Sequence, residues 1–207
     1  MSRTGRILFL VGLHGAGKST LGYFAGKALR APWFSAGDVR RMSGRGCAPL
    51  DEQTQARIDM LSRLGPQGRN MLSVLWDQIL ERWRSEHTLT LVDGMPGNLS
   101  QLWLVRKQDV VVFVSAPRDL CHGRVVRRAR DGDHPERPNG RDRALPQILR
   151  SLRREGKTVL RLRNVAADPQ QTARQFALRL RMLIHEAHPL DGSALVDIGR
   201  RGQQTLF

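Results

Sequence analysis

The nine residues GLHGAGKST (12–20) constrain the fold of this 207-residue chain more than any other stretch. Gly12, Gly15 and Gly17 let the backbone wrap with its N–H groups turned inward. Lys18 adds a positive point charge and Ser19 a hydroxyl suited to Mg²⁺. Together they form a cradle for the phosphates of a nucleoside triphosphate. RILFLV (6–11) before it is an apolar, β-branched run suited to a buried strand, and LGYFAGKAL (21–29) continues with helical spacing. Strand, loop and helix N-terminus then aim amides and helix dipole at one anion.

Further strands are expected at 32–34, 88–93, 109–117 and 158–162, with helices at about 52–64, 70–83, 118–130, 144–155 and 169–188. This alternation reads as a parallel α/β sheet with ligands at the carboxyl ends of its strands. In the helix at 70–83 the apolar residues form one stripe, which puts Trp76 and Trp83 in the core. Residues 42–68 mix Gly, Pro and polar residues and read as a small lobe outside the sheet. Residues 189–207 carry no strong pattern and are read as a partly disordered tail.

Composition bounds the rest. No apolar run approaches the ~20 residues of a membrane span, and MSRTGR leads into the first strand without a signal-peptide core, so a soluble, cytoplasmic protein is expected. Cys47 and Cys121 are too few and too scattered for a zinc site and read as reduced packing thiols. The net charge of +15 is carried almost wholly by arginine, which suits phosphate ligands and permits RNA binding without requiring it.

Five motifs in order resemble the adenylate kinase-like family of nucleoside monophosphate kinases: GLHGAGKST (12–20), SAGDVRR (35–41), RLGPQ (63–67), VDGMPGNLSQ (92–101) and the arginine-rich RVVRRARDGDHPERPNGRD (124–142). The resemblance covers about residues 6–188. It implies a three-layer P-loop kinase fold in a single domain (1–188): a parallel five-stranded sheet with flanking helices, an acceptor-binding lobe at about 38–70 and a short lid at about 129–142. The implied activity is transfer of the ATP γ-phosphoryl group to a nucleoside monophosphate, AMP first among them, with ATP and Mg²⁺ as cofactors.

The resemblance also implies roles. Gly12, His14, Gly15, Ala16, Gly17, Lys18, Ser19 and Thr20 would hold ATP together with Arg124, while Ser19, and Asp93 through a water, would hold the metal. Ser35, Gly37, Asp38, Arg41, Leu64, Gly94, Gly97 and Gln101 would form the acceptor site. Lys18 with Arg128, Arg137, Arg141 and Arg150 would neutralise the transferring phosphoryl group. His134, at a polar lid tip, is assigned no role.

The chain departs from the family where Asp-Gly-Phe-Pro-Arg becomes Asp93-Gly94-Met95-Pro96-Gly97, so an acceptor-phosphate arginine is missing. Arg106 is one candidate to replace it. Base signals conflict as well: Gln101 matches a glutamine that reads adenine, whereas Ala36 resembles pyrimidine-specific members. The alternatives are a P-loop kinase of another small acceptor, an ATPase, or a nucleotide-binding, RNA-associated protein with weak catalysis.

Overall fold

A computed structural model describes residues 5–37, 50–128, 140–165 and 169–185. Five strands, β1 (Arg6–Val11), β2 (Trp33–Ser35), β3 (Leu89–Asp93), β4 (Val110–Ser115) and β5 (Thr158–Arg163), form one parallel sheet in the order β2-β3-β1-β4-β5. Six helices are described: α1 (Lys18–Leu29), α2 (Glu52–Arg63), α3 (Gly65–Glu86), α4 (Arg118–Arg128), α5 (Gly140–Arg154) and α6 (Pro169–His185).

The unbroken apolar runs of the central strands follow from cover on both faces. Ile7, Phe9 and Val11 of β1 point to one side, against Trp76, Leu80 and Trp83 of α3 and Leu149 of α5. Leu8 and Leu10 point to the other, against Leu21 and Ala25 of α1 and Phe176 and Leu180 of α6. A strand covered twice has no polar face to alternate with. Trp76 and Trp83 lie edge-on to Phe34, in the core where the helical stripe put them.

Two boundaries and one added element differ from expectation. The helix expected at 70–83 runs over Gly65–Glu86, because Gly65 turns the corner at φ 60° and Pro66 falls at the first helical positions, where its missing N–H costs nothing. RLGPQ is therefore a helix end, a one-residue corner at Leu64 and a helix start. The second difference is α5, which begins at Gly140, so Arg141 and Asp142 belong to a helix instead of to a lid ending at 142. Asn139, Gly140 and the internal Pro146 gave that stretch the look of a loop. The third is a 3₁₀ turn at Leu99–Leu104 that no periodicity announced.

At the amino edge of the sheet, Arg84 of α3 and Asp109 form a fully buried ion pair. The Asp109 carboxylate also accepts from the Ile7 N–H at 2.8 Å and the Arg106 N–H at 2.8 Å, fastening α3 to the starts of β1 and β4. Register then fixes what stands at the opposite edge. Leu10 of β1 and Ser35 of β2 both pair with Asp93 of β3, so the ends of three adjacent strands are level with the glycine loop that follows β1.

Candidate active site

The loop between β1 and α1 has the conformation its glycines promised. Gly15 (φ 75°) and Gly17 (φ 87°) hold left-handed backbone that larger residues rarely adopt. A side chain on Gly15 would strike the Cys121 carbonyl, and one on Gly17 would strike the Asn164 amide. Lys18 turns inward, its Nζ donating to the Gly12 carbonyl at 3.0 Å and the Leu13 carbonyl at 2.9 Å. Burial holds the Lys18 pKa below its ordinary value, opposed by the nearby Asp93 charge. Arg141 lowers it further and Asp142 raises it, so all four charges share one electrostatic neighbourhood. Ser19 is half-buried and Thr20 exposed at the start of α1.

Asp93, 4% exposed, closes β3 beside this loop. Its Oδ1 accepts from the Ser35 hydroxyl at 3.1 Å. Ser35, expected among acceptor contacts, thus orients the carboxylate expected to hold a metal-bound water. The chain next turns through Gly94 (φ 83°), whose backbone faces Ala36 and Gly37, and a cis Met95–Pro96 bond.

Over this turn lies the guanidinium of Arg141, reaching in from the first turn of α5. A Cβ placed on Gly97 would sit 2.8 Å from Arg141 Nε, and one on Gly94 3.2 Å from Arg141 Nη1. Glycine at 97 therefore makes room for an arginine supplied by another element. Arg106 does not fill the place: it bonds Asp77 at 2.9 Å and Glu81 at 2.9 Å. Gln101 turns its Oε1 onto the Gly97 N–H at 2.7 Å, using its carbonyl to hold the turn.

Of the other arginines, Arg124 reaches the loop, its Nη1 3.4 Å from the Gly15 carbonyl. Arg128, one turn further along α4, is exposed at the helix end. Arg150 is not brought to this cluster. It lies nine positions along α5 from Arg141, half a turn round and about 13 Å along the axis, and its Nε lies 3.4 Å from the Pro146 carbonyl. Leu64 is exposed at the corner between α2 and α3. Asp38, Arg41 and Arg137 lie outside the described residues, as do Cys47, His134, the lid at 129–139 and the tail.

Two site residues escaped the sequence reading. Asn164, 5% exposed just after β5, donates its Nδ2 to the Ala16 carbonyl at 2.8 Å and stands against Gly17. Its signal was its position, since ligands of open α/β sheets lie beyond the strand carboxyl ends. Asp142 accepts from the His14 N–H at 3.1 Å and lies 3.9 Å from His14 Nδ1. It was hidden in what read as an arginine-rich lid.

Hard oxygen donors fit a Mg²⁺ ion here: the Ser19 hydroxyl, and the Asp93 carboxylate beside a cationic loop. No group of three His, Cys, Asp or Glu able to cage a metal occurs among the described residues. This donor set suits an ion carried in on nucleotide phosphates more than a resident one.

No protein-family model matches the chain. A shikimate kinase of Prochlorococcus marinus is 26% identical over 124 residues, 58% of this chain and 58% of that protein, so the similarity spans little more than half the relative's length. Three solved structures share the fold, each at a TM-score of 0.50. They are shikimate kinases from Bacteroides thetaiotaomicron (17% identical, 87% of this chain and 98% of that one), Acinetobacter baumannii in complex with shikimate (19%, 89% and 95%), and Aquifex aeolicus (16%, 86% and 98%). The architecture is accordingly the fold of these solved kinases, a five-stranded parallel sheet with flanking helices and a glycine loop after its first strand. No helix of the described residues is long and apolar enough to cross a membrane.

Proposed function

From the P-loop kinase fold of this chain we infer that it is an ATP-dependent phosphotransferase acting on a hydroxyl of a small anionic acceptor, with a hydroxylated ring carboxylate such as shikimate ahead of any nucleotide. The observation that carries this reading is Arg141 lying against Gly94 and Gly97 at the strand end beside the phosphate loop. A guanidinium fork there grips a carboxylate or phosphate and fixes the acceptor. Gln101 weakens the nucleotide reading, because the side chain expected to read adenine has its carbonyl taken by the Gly97 N–H. The partly matching shikimate kinase sequence points the same way.

In this reading the acceptor oxygen bonds to the γ-phosphorus, the β–γ bridging P–O bond breaks, and the hydroxyl proton is released. Little covalent work falls to the protein, since catalysis of such a transfer is mostly alignment and charge neutralisation. The loop amides and Lys18 hold the triphosphate, Arg124 covers the loop, and Arg141 holds the acceptor. Ser19 and, through a water, Asp93 would hold a Mg²⁺ ion, which would supply charge neutralisation on the phosphates. ATP and Mg²⁺ are both abundant in the cytoplasm, where we place the protein.

The test is ADP formation at saturating ATP with shikimate, AMP, CMP, UMP or GMP, alongside an acceptor-free control. Turnover that requires shikimate and is absent with the monophosphates supports the reading. Turnover with a monophosphate restores the nucleotide kinase, and turnover without any acceptor makes the protein an ATPase.

A further inference from the structure

The first turn of α5 touches both halves of the site. Arg141 lies over the Gly94–Gly97 turn, and the next residue, Asp142, accepts a hydrogen bond from the His14 N–H in the phosphate loop at 3.1 Å. The Asp142 side chain is 15% exposed and the bond is partly shielded from water. Its partner is a backbone amide in a loop whose function depends on where its amides point. His14 Nδ1 lies 3.9 Å from the same oxygen, a second and more exposed contact.

We propose that Asp142 is a positioning residue of the phosphate loop: through the His14 N–H it fastens the loop to α5, so that loop and acceptor-side arginine form one rigid unit. Adjacent residues on one helical turn cannot shift independently. A displacement of the loop therefore moves Arg141, and ordering of the loop by nucleotide sets Arg141 over the acceptor. The carboxylate also approaches the region where triphosphate charge would sit, and repulsion of that kind would favour its removal. The part-buried bond to a loop amide outweighs it here, because an N–H that is shielded from water and left without an acceptor loses that bond and keeps the cost of its desolvation.

The acceptor-side consequence rests on the kinase reading; the loop contact does not, and the experiment separates the two. Affinity for a fluorescent ATP analogue is measured for the parent, Asp142→Ala and Asp142→Asn, with thermal melting to establish that each is folded. Asp142→Ala is expected to weaken nucleotide binding about tenfold. Asp142→Asn keeps an oxygen acceptor for the His14 N–H and is expected to recover affinity to within about threefold of the parent. With a turned-over acceptor, Asp142→Ala should also raise the acceptor KM more than it lowers kcat.

Unchanged or tighter nucleotide binding by a folded Asp142→Ala would overturn the proposal, since the carboxylate would then compete with phosphate. Equal weakening in the Asn variant would overturn it too, by making charge decisive instead of the hydrogen bond. If the parent phosphorylates no acceptor yet loses nucleotide in the Ala variant and regains it in the Asn variant, Asp142 keeps its role and only the kinase reading falls.

Discussion

Arg141 and Gly97 are complementary: the guanidinium lies where a side chain at 97 would begin, its Nε 2.8 Å from the position of a Cβ. Gly97→Arg adds a second cation in that space and pushes Arg141 out. Viewed from sequence alone, the same substitution restores a missing phosphate fork. With Arg141 in place it should raise the acceptor KM by about 10- to 100-fold, the worth of one charge-assisted hydrogen bond, and raise the KM for ATP by less, through the α5 turn that Arg141 shares with Asp142. Steady-state kinetics with each substrate varied in turn checks this.

Lys18→Met should lower kcat by about 10²- to 10³-fold, because the ammonium is positioned for charge that develops during transfer. The same change should raise the melting temperature of the nucleotide-free protein. Burial lowers the folded pKa of Lys18 below the ordinary lysine value, so the charged lysine destabilises the fold fully at pH values below the folded pKa. Between the folded and unfolded pKa the unfolded chain binds more protons, and parental stability rises with pH there. The gap between variant and parent should close across that window, as melting curves recorded from neutral to alkaline pH would reveal.

Asn164→Ala removes the amide that serves the Ala16 carbonyl at 2.8 Å and leaves that acceptor buried. A loss of about 1–3 kcal/mol is expected, with weaker ATP binding because the carbonyl belongs to the phosphate loop. Denaturant titration and nucleotide affinity measure the two effects separately.

Arg84→Met strands the Asp109 carboxylate in the core and should cost about 3–5 kcal/mol. Both groups have fully buried side chains at the sheet edge remote from the phosphate loop. The kinetic constants of the folded fraction should therefore match the parent, which separates this stability lock from the site.

Much of the fold was legible because two strong signals coincide: a glycine loop fixes one strand–helix junction, and doubly covered strands write themselves as apolar runs such as RILFLV and VVVFVS. What stayed hidden was long-range. Gly97 reads as a lost arginine until α5 is seen to bring Arg141 to the same spot, 44 positions along the chain. Gln101 reads as a base contact until its oxygen is found on the Gly97 N–H. Asn164 and Asp142 act on loop backbone, and a single polar residue near a strand end or helix start has no periodicity to betray it. Arg150 looked like a partner of Arg141 only until both were placed on the helix they share.

The most direct measurement is a ³¹P NMR time course of the protein with ATP, Mg²⁺, shikimate and AMP in one tube, so that the acceptors compete. The expected result is a new phosphomonoester resonance growing in step with ADP while AMP is preserved, and no such growth with Arg141→Ala over the same period. Consumption of AMP without a new monoester, or release of inorganic phosphate alone, would contradict it.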